Sequence, residues 1–396
     1  MSARGLHTVE DARRLARRRL PRLVFDYIDG AAGGGLAVER NRYALDSLVL
    51  QPRILRDVES RSTASEVFGK ETGLAFGISP MGLCNLAWPG ADAMLAQHAA
   101  THATPLGVST ASSTSLEKLI ELAEGHAWFQ LYFSGDETGS MRLAERARDA
   151  GYDTLVLTVD VPEVGRRPRE LRRGFTMPFR IGPQQFVDFA LHPRWSLTTL
   201  ASGRPELANF GGEHGEFDRT RSRAGADWNL LQRLREHWKG RMVVKGVLDV
   251  DDAEQLRAAG IDAIQVSSHG GRQLESAPAP ILQLARIRAA LGPDYPLFYD
   301  SGIRSGEDIV KAYAAGADFV FLGRPLLFAI AAAQQAGLQE LSDVLTTETS
   351  ITLAQLGLTA LREINQASLH SPPAGSLPGA PAGAVPANGR SSRSAA

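Results

Sequence analysis

Eight short apolar runs, separated mostly by segments of helical spacing, constrain this chain more than any other feature. They are Leu74–Ser79, Leu106–Ser109, Trp128–Tyr132, Thr154–Val159, Met242–Lys245, Ala263–Ser267, Leu297–Asp300 and Phe319–Leu322. Runs of this length bounded by turn residues read as buried strands. Thr138–Ala150, Asp251–Ala259, Ser305–Ala315 and Pro325–Ala336 between and after them carry helix-period patterns. Eight strands with crossover helices close into a (β/α)8 TIM barrel, of α/β class, more naturally than they form an open sheet.

Such a barrel runs well past 200 residues as one unit, so residues 1–370 of the 396 are read as one domain. An N-terminal helical arm precedes the strands, and Thr8 can cap its first helix. Arg13, Arg14, Arg17, Arg18, Arg19 and Arg22 crowd that helix. The charge run reads as a solvated face or, more sharply, as a contact for an anionic membrane surface. A second anomaly is the gap between the fourth and fifth strands, about residues 173–227, far longer than an ordinary crossover. It carries Phe186, Phe189, Leu191, Trp195, Leu197 and Leu200 among Pro and Gly. This long loop insertion reads as a lid packed over the barrel mouth, or as a docking loop for membrane or partner. Residues 371–396, rich in Pro, Gly, Ala and Ser, read as a disordered tail.

The net charge of −1 points away from nucleic acid. One cysteine, Cys84, excludes internal disulfides and any cysteine-based metal site, and it fits a reducing compartment. The nine histidines lack ligand spacing, so no metal is expected. The N-terminus lacks the apolar core of a signal peptide, and no apolar run is long enough to span a bilayer. A cytoplasmic location is therefore expected, with peripheral contact at the inner face of a membrane as an option.

Barrel enzymes carry their chemistry at the C-terminal ends of the strands. Here nearly every such end bears a hydrogen-bonding group: Ser79, Ser109, Gln130, Thr158, Asp160, Lys245, Ser267, Asp300 and Arg324 lie at or just beyond them. The sixth strand runs into Ser267-Ser268-His269-Gly270-Gly271-Arg272-Gln273. A proton-transferring histidine three residues from a fork-shaped cation suits chemistry beside a carboxylate. Asp160 is placed to hold His269 and stabilise its protonated form. Arg167 and Arg272 are candidates for a bidentate carboxylate clamp. Tyr27 and Tyr132 are within reach of substrate oxygens, or belong to the core. Lys245 ends an apolar strand, so it must meet negative charge or lose its proton. An electron-rich ring that becomes anionic on reduction would suit it. After the last two strands, Gly302 and Gly323 free backbone N–H groups while Arg304 and Arg324 supply charge, a phosphate grip. Gly33-Gly34-Gly35 follows a helix rather than a strand and is no dinucleotide fingerprint.

With its motifs FDYIDG, QLY, LTVDVPEVGRR, VVKGV, SSHGGRQ, DSGIR and GRP, the chain resembles the FMN-dependent (S)-2-hydroxy acid dehydrogenase and oxidase family. That family includes glycolate and lactate oxidases and mandelate dehydrogenase, and the likeness runs from about Leu6 to Leu369. It implies an FMN held by Pro80, Met81 and Gly82 through the backbone and by Ser109, Gln130, Thr158, Lys245 and Ser267. Its phosphate would lie on Asp300, Ser301, Gly302, Arg304, Gly323 and Arg324. The substrate carboxylate would meet Tyr27, Arg167 and Arg272, with Tyr132 near the hydroxyl and His269 as base, oriented by Asp160. Family members usually carry Asn where this chain has Ser268, and glycolate oxidases carry Trp and Ala where it has Ala111 and Gly82. The last two swaps enlarge the site. LHPRW at Leu191–Trp195 and LANF at Leu207–Phe210 look most like the mandelate and lactate dehydrogenase branch, whose members are peripheral membrane proteins that reduce quinone. The likeness also implies a homotetramer.

The expected reaction is oxidation of an (S)-2-hydroxy acid, lactate- to mandelate-sized, to the 2-oxo acid, with quinone or another carrier as electron acceptor. An oxidase that reduces O2 to peroxide is the alternative. An FMN-dependent isomerase on a similar barrel is a further reading that would not need the paired arginines. A dehydrogenase using a covalent cysteine is disfavoured, because Cys84 follows the first strand and the sixth loop has no thiol.

Overall fold

The computed structural model describes residues 5–133, 136–176, 181–203, 205–210 and 222–370. The tail at 371–396 and part of the 173–227 insertion lie outside the described residues.

A two-stranded hairpin, β1 (Ser65–Val67) and β2 (Lys70–Thr72), precedes the barrel. Eight parallel strands follow: β3 (Phe76–Met81), β4 (Leu106–Ser109), β5 (Ala127–Tyr132), β6 (Thr154–Thr158), β7 (Arg241–Val247), β8 (Ala263–Val266), β9 (Leu297–Tyr299) and β10 (Phe319–Leu322). They hydrogen-bond in chain order, and β10 pairs with β3 to close the barrel. The eight expected strands are all present. The largest shift is at the first, which starts at Phe76 rather than Leu74 and runs on to Met81.

Trp128, Val156, Val243, Phe298, Phe319 and Phe321 fill the barrel interior. The hairpin closes its lower end, where Phe68 packs 5.5 Å from Trp128 and 5.3 Å from Phe298 between ring centroids. Dense aromatic packing closes this end, and the strand C-termini at the other end are left to surround a cavity.

The arm's first helix, Val9–Arg19, is capped by Thr8, whose side-chain oxygen accepts from the Asp11 N–H. Between this arm and the barrel, the Gly33 loop packs on two strand-end loops: Ala32 N–H donates to Gly271 O and Gly33 N–H to Arg166 O, both at 3.0 Å. The insertion is not simply a loop. A helix at Pro168–Arg172 leads into it, and helices span Pro183–Ala190 and Pro193–Ser202 within it. Of the apolar residues noted there, Trp195 is buried and donates its indole N–H to Leu86 O at 2.9 Å. Phe189 packs against the core, whereas Phe186, Leu191, Leu197 and Leu200 are exposed. The helix expected at Pro325–Ala336 runs from Arg324 to Gln355, broken in backbone geometry at Ala333–Gln334.

Candidate active site

The strand C-termini surround a cavity of about 1310 Å³, its open entrance included. The loop after β8 turns sharply: His269 sits at φ +55° and Gly270 at φ +65°. A left-handed non-glycine residue costs about 1–3 kcal/mol, so the surroundings must hold it. The His269 N–H donates to Ser267 Oγ at 3.0 Å, and its Nδ1 lies 2.9 Å from Asp160 Oδ1. Asp160 follows β6 and approaches closely because Gly246 has no side chain. A Cβ at Gly246, which also sits at φ +105°, would stand 2.6 Å from Asp160 Cβ and Cγ. The other imidazole nitrogen, Nε2, is 3.3 Å from Tyr132 Oη and faces the cavity wall. Burial, then the Asp160 charge, pushes the Tyr132 hydroxyl's pKa well up, so it is a neutral hydrogen-bonding group.

Arg167 and Arg272 both line the cavity, and a residue that sequence reasoning missed binds them together. Glu170, 6% exposed, accepts from Arg272 Nη2 at 2.7 Å and lies 3.7 Å from Arg167 Nη1. Arg272 Nη1 also donates to Tyr27 O and Gly30 O. Three of its five N–H donors are thus not aimed at a ligand. Arg167 Nε donates to Arg272 O at 3.3 Å. Burial, then repulsion from Arg272, lowers Arg167 to about 10, so a carboxylate arriving between the two would offset that repulsion and favour the charged guanidinium. Tyr27 stacks on Phe175 at 4.6 Å, and its hydroxyl donates to Gly82 O at 3.0 Å.

Lys245 finds its negative charge in Asp300, with Nζ 2.8 Å from Oδ2. Ser267 Oγ accepts from Lys245 at 2.7 Å and donates to Asp300 Oδ1 at 2.6 Å. Gln265 and Ser301 also donate to that carboxylate. Burial works to raise the Asp300 pKa, but the Lys245 ammonium and these hydrogen bonds outweigh it and hold the group ionised. This corrects the expectation that Asp300 belongs among phosphate ligands. Its carboxylate repels a phosphate and is engaged by Lys245, and its N–H donates to Val266 O.

Ser301, Gly302, Arg304, Gly323 and Arg324 do line one end of the cavity. Gly323 begins the Arg324–Gln355 helix, and no side chain caps it, so the dipole's positive end faces the cavity. Burial, then Arg42, lowers Arg304 to about 10. Burial, then Arg304 and Arg272, lowers Arg324 to about 9. Two desolvated cations at a helix N-terminus match a phosphate. At the other end Pro80, Met81, Gly82, Ser109 and Lys245 line the wall. Gln130, Thr158 and Ser267 do not reach it; they form the layer beneath, where Gln130 Oε1 accepts from Ser109 Oγ and Nε2 donates to Thr158 Oγ1. An elongated cavity with a phosphate grip at one end and a lysine at the other fits a flavin mononucleotide, with room left for a small acid.

Further residues that sequence reasoning missed come from the arm and the insertion. Asn209 Nδ2 donates to Ser109 O, Thr110 O and Ser112 Oγ, fastening the insertion to β4. Asn41 Nδ2 donates to Ser268 Oγ at 2.8 Å, bracing the His269 turn from the arm. Arg223 lines the cavity with its guanidinium carbon 5.0 Å from the Tyr132 ring centroid. Asn209 lies within the LANF segment, whereas nothing in the sequence around Arg223 signals its place.

A family model described as FMN-dependent dehydrogenase matches residues 16–371. The chain is 38% identical over 362 residues to (S)-mandelate dehydrogenase of Pseudomonas putida, covering 90% of this chain and 91% of that protein. It is 36% identical over 341 residues to 4-hydroxymandelate oxidase of Amycolatopsis orientalis, covering 86% and 92%. A solved structure, that of the monotopic membrane protein (S)-mandelate dehydrogenase, superposes with a TM-score of 0.88 at 38% identity over 92% of this chain and 99% of that one. The chain belongs to the FMN-dependent dehydrogenase family, enzymes that oxidise 2-hydroxy acids.

Proposed function

We propose that this protein oxidises an (S)-2-hydroxy acid of mandelate size to the 2-oxo acid and passes the electrons to a quinone at a membrane surface. The observation that carries the reading is the convergence of His269, Tyr132, Arg167 and Arg272 on one cavity wall. Size follows from two neighbours: a Cβ at Gly82 would already lie 3.1 Å from Ala111 Cβ, so larger groups at either position would fill the space between them. Val161, Val164 and Leu207 add an apolar lining suited to a ring.

Arg167 and Arg272 bind the carboxylate and fix the α-carbon, which supplies orientation. His269 Nε2 takes a proton from the substrate, and Asp160 at Nδ1 sets the tautomer and stabilises the imidazolium that forms. Tyr132 donates to or accepts from the substrate oxygen beside Nε2. FMN, when bound, would take up the two electrons and the second hydrogen; Pro80, Met81, Gly82, Ser109 and Lys245 would hold its ring system, and Ser301, Gly302, Arg304, Gly323 and Arg324 its phosphate. Gln130, Thr158 and Ser267 fix that wall from beneath.

Among the described residues no helix is long and apolar enough to cross a membrane. Phe186, Val187, Leu191, Leu197 and Leu200 nevertheless stand exposed on two adjacent helices of the insertion, a patch suited to lie on a bilayer. Likeness to a 4-hydroxymandelate oxidase favours a second reading, direct reduction of O2. An anaerobic panel of 2-hydroxy acids, followed by quinone and then air as oxidant, tests both. Flavin bleaching fastest with (S)-mandelate-like acids and reoxidation by quinone are expected. Peroxide formed under air at the turnover rate overturns the acceptor, and no bleaching by any 2-hydroxy acid overturns the reaction.

A further inference from the structure

Outside the catalytic mouth lies a cleft of about 530 Å³ between the first helix, the insertion and the long C-terminal helix. Arg18, Arg19, Trp88, His192, Arg194 and Gln334 wall it. Elsewhere on the first helix the arginines are partnered: Arg13 Nε lies 2.7 Å from Asp29 Oδ1, and Arg14 pairs with Asp11. Among the described residues no carboxylate pairs with Arg18, Arg19 or Arg194. The nearby Asp188 is engaged by Leu23 N–H at 3.2 Å and by His192 Nδ1 at 3.6 Å. Arg194 lies over the Trp88 ring, 5.7 Å from its centroid, and Trp88 is buried. Burial, then the Arg194 charge, depresses Arg19. Three like charges therefore wall one cleft, with Arg194 over the buried indole. The helix behind them breaks at the same place, with Gln334 at φ +58°, a conformation that costs about 1–3 kcal/mol and gathers at ligand sites.

We propose that this cleft binds the phosphate of an anionic lipid headgroup. Guanidinium forks match phosphate oxygens bidentately. The lipid source is favoured over soluble phosphate because Leu191, itself on the cleft wall, is 72% exposed, and Leu197 and Leu200 on the next helix are exposed too. Acyl chains beside the phosphate would meet that apolar face. The assignment deepens the membrane reading above and rests on it for the lipid source; the phosphate chemistry is testable without it.

The test compares full-length, FMN-loaded protein with Arg18→Ala/Arg19→Ala/Arg194→Ala, and with Arg17→Ala/Arg22→Ala as a control for charge outside the cleft. Partition is measured by co-sedimentation with vesicles of phosphatidylcholine alone and of phosphatidylcholine doped with phosphatidylglycerol. Each basic side chain near an anionic surface contributes about a factor of five, so the triple variant is expected to lose about a hundredfold on the anionic vesicles. The control, whose charges lie outside the cleft, should lose no more than about fivefold in all, clearly less per charge removed than the triple variant. Turnover of soluble substrate should not change, because none of these residues lines the catalytic cavity. Equal loss per charge removed in the two variants, or no loss in the triple variant, overturns the site. In a second arm, inorganic phosphate is titrated against the fluorescence of wild type and Trp88→Phe. Saturation at micromolar phosphate makes soluble phosphate the ligand and overturns the lipid assignment. If the wild type binds no vesicle, the membrane reading fails; a phosphate-dependent Trp88 signal lost in the triple variant then keeps the cleft as a phosphate site, and its absence overturns it.

Discussion

Asp160 Oδ1 lies 2.9 Å from His269 Nδ1, and the imidazole's other nitrogen is 3.3 Å from Tyr132 Oη. One contact fixes which nitrogen carries the proton, leaving Nε2 as the base on the cavity side. His269→Ala is expected to give a yellow, FMN-loaded protein that substrate does not bleach. Asp160→Asn keeps the contact but removes the charge, and kcat should fall by about 10²–10⁴ with a small change in KM. Stopped-flow bleaching under nitrogen measures both; normal bleaching by the His269 variant would remove it from the mechanism.

Gly246 makes that pairing possible from the far side. In Gly246→Ala the new methyl meets Asp160 Cβ and Cγ at 2.6 Å and the residue keeps a φ of +105°. Strain of about 1–3 kcal/mol is expected, with a lowered melting temperature and a lowered kcat. Unchanged kcat would show that Asp160 tolerates displacement and does not set the histidine.

Glu170 offsets two buried cations until substrate arrives. Glu170→Gln leaves Arg167 and Arg272 facing each other without a carboxylate, and removing one partner of a buried pair costs about 3–5 kcal/mol. A substrate carboxylate or an unreactive 2-oxo acid should restore part of that loss. The thermal shift caused by such a ligand is therefore expected to be larger in the variant than in the wild type, measured by differential scanning fluorimetry. A smaller shift would mean that Glu170 acts on the ligand only by orienting Arg272.

The buried Lys245–Asp300 pair sets a pH dependence with a definite sign. Asp300 has its folded pKa held below the ordinary value, so its contribution to stability is present at neutral pH and is lost as pH falls through that depressed value. Lys245→Met removes the counter-charge and leaves a buried carboxylate whose pKa must rise. This variant is expected to be less stable at neutral pH and to recover part of the deficit on acidification, opposite to the wild type at this site. Urea midpoints between neutral and mildly acid pH check the crossing. Parallel curves would mean that the other donors to Asp300 suffice.

The barrel was legible in the sequence because buried strands must be apolar and must stop where the cavity begins, which put His269, Lys245 and Arg304 at strand ends. Pro183 and Pro193 fall in the stretch read as a long loop insertion, yet both occupy the first turn of a helix, where the missing N–H costs nothing. Glu170 was missed because its role is three-dimensional, although Arg167 at the helix start and Glu170 three residues on share a helical face. Asp300 was misplaced since a carboxylate beside Gly-rich phosphate loops gives no sign in sequence of pairing with a lysine two strands earlier. Arg223 arrives from the far end of the insertion, and no local pattern reports a long-range approach.

Ala111 offers the sharpest test of substrate size. Its side chain lines the cavity against Gly82, where a single added carbon at Gly82 already makes a 3.1 Å contact. Ala111→Trp should fill the space assigned to an aryl group while leaving Arg167, Arg272 and His269 in place. One methylene in an apolar pocket changes selectivity about 10–200-fold, so a whole indole is expected to lower kcat/KM for mandelate by at least about a hundredfold and for lactate far less. The ratio of the two kcat/KM values, rather than either alone, is the measurement, because a general loss of folding would lower both. An unchanged ratio would place the substrate's side chain away from Ala111 and Gly82 and remove the structural basis for a mandelate-sized acid.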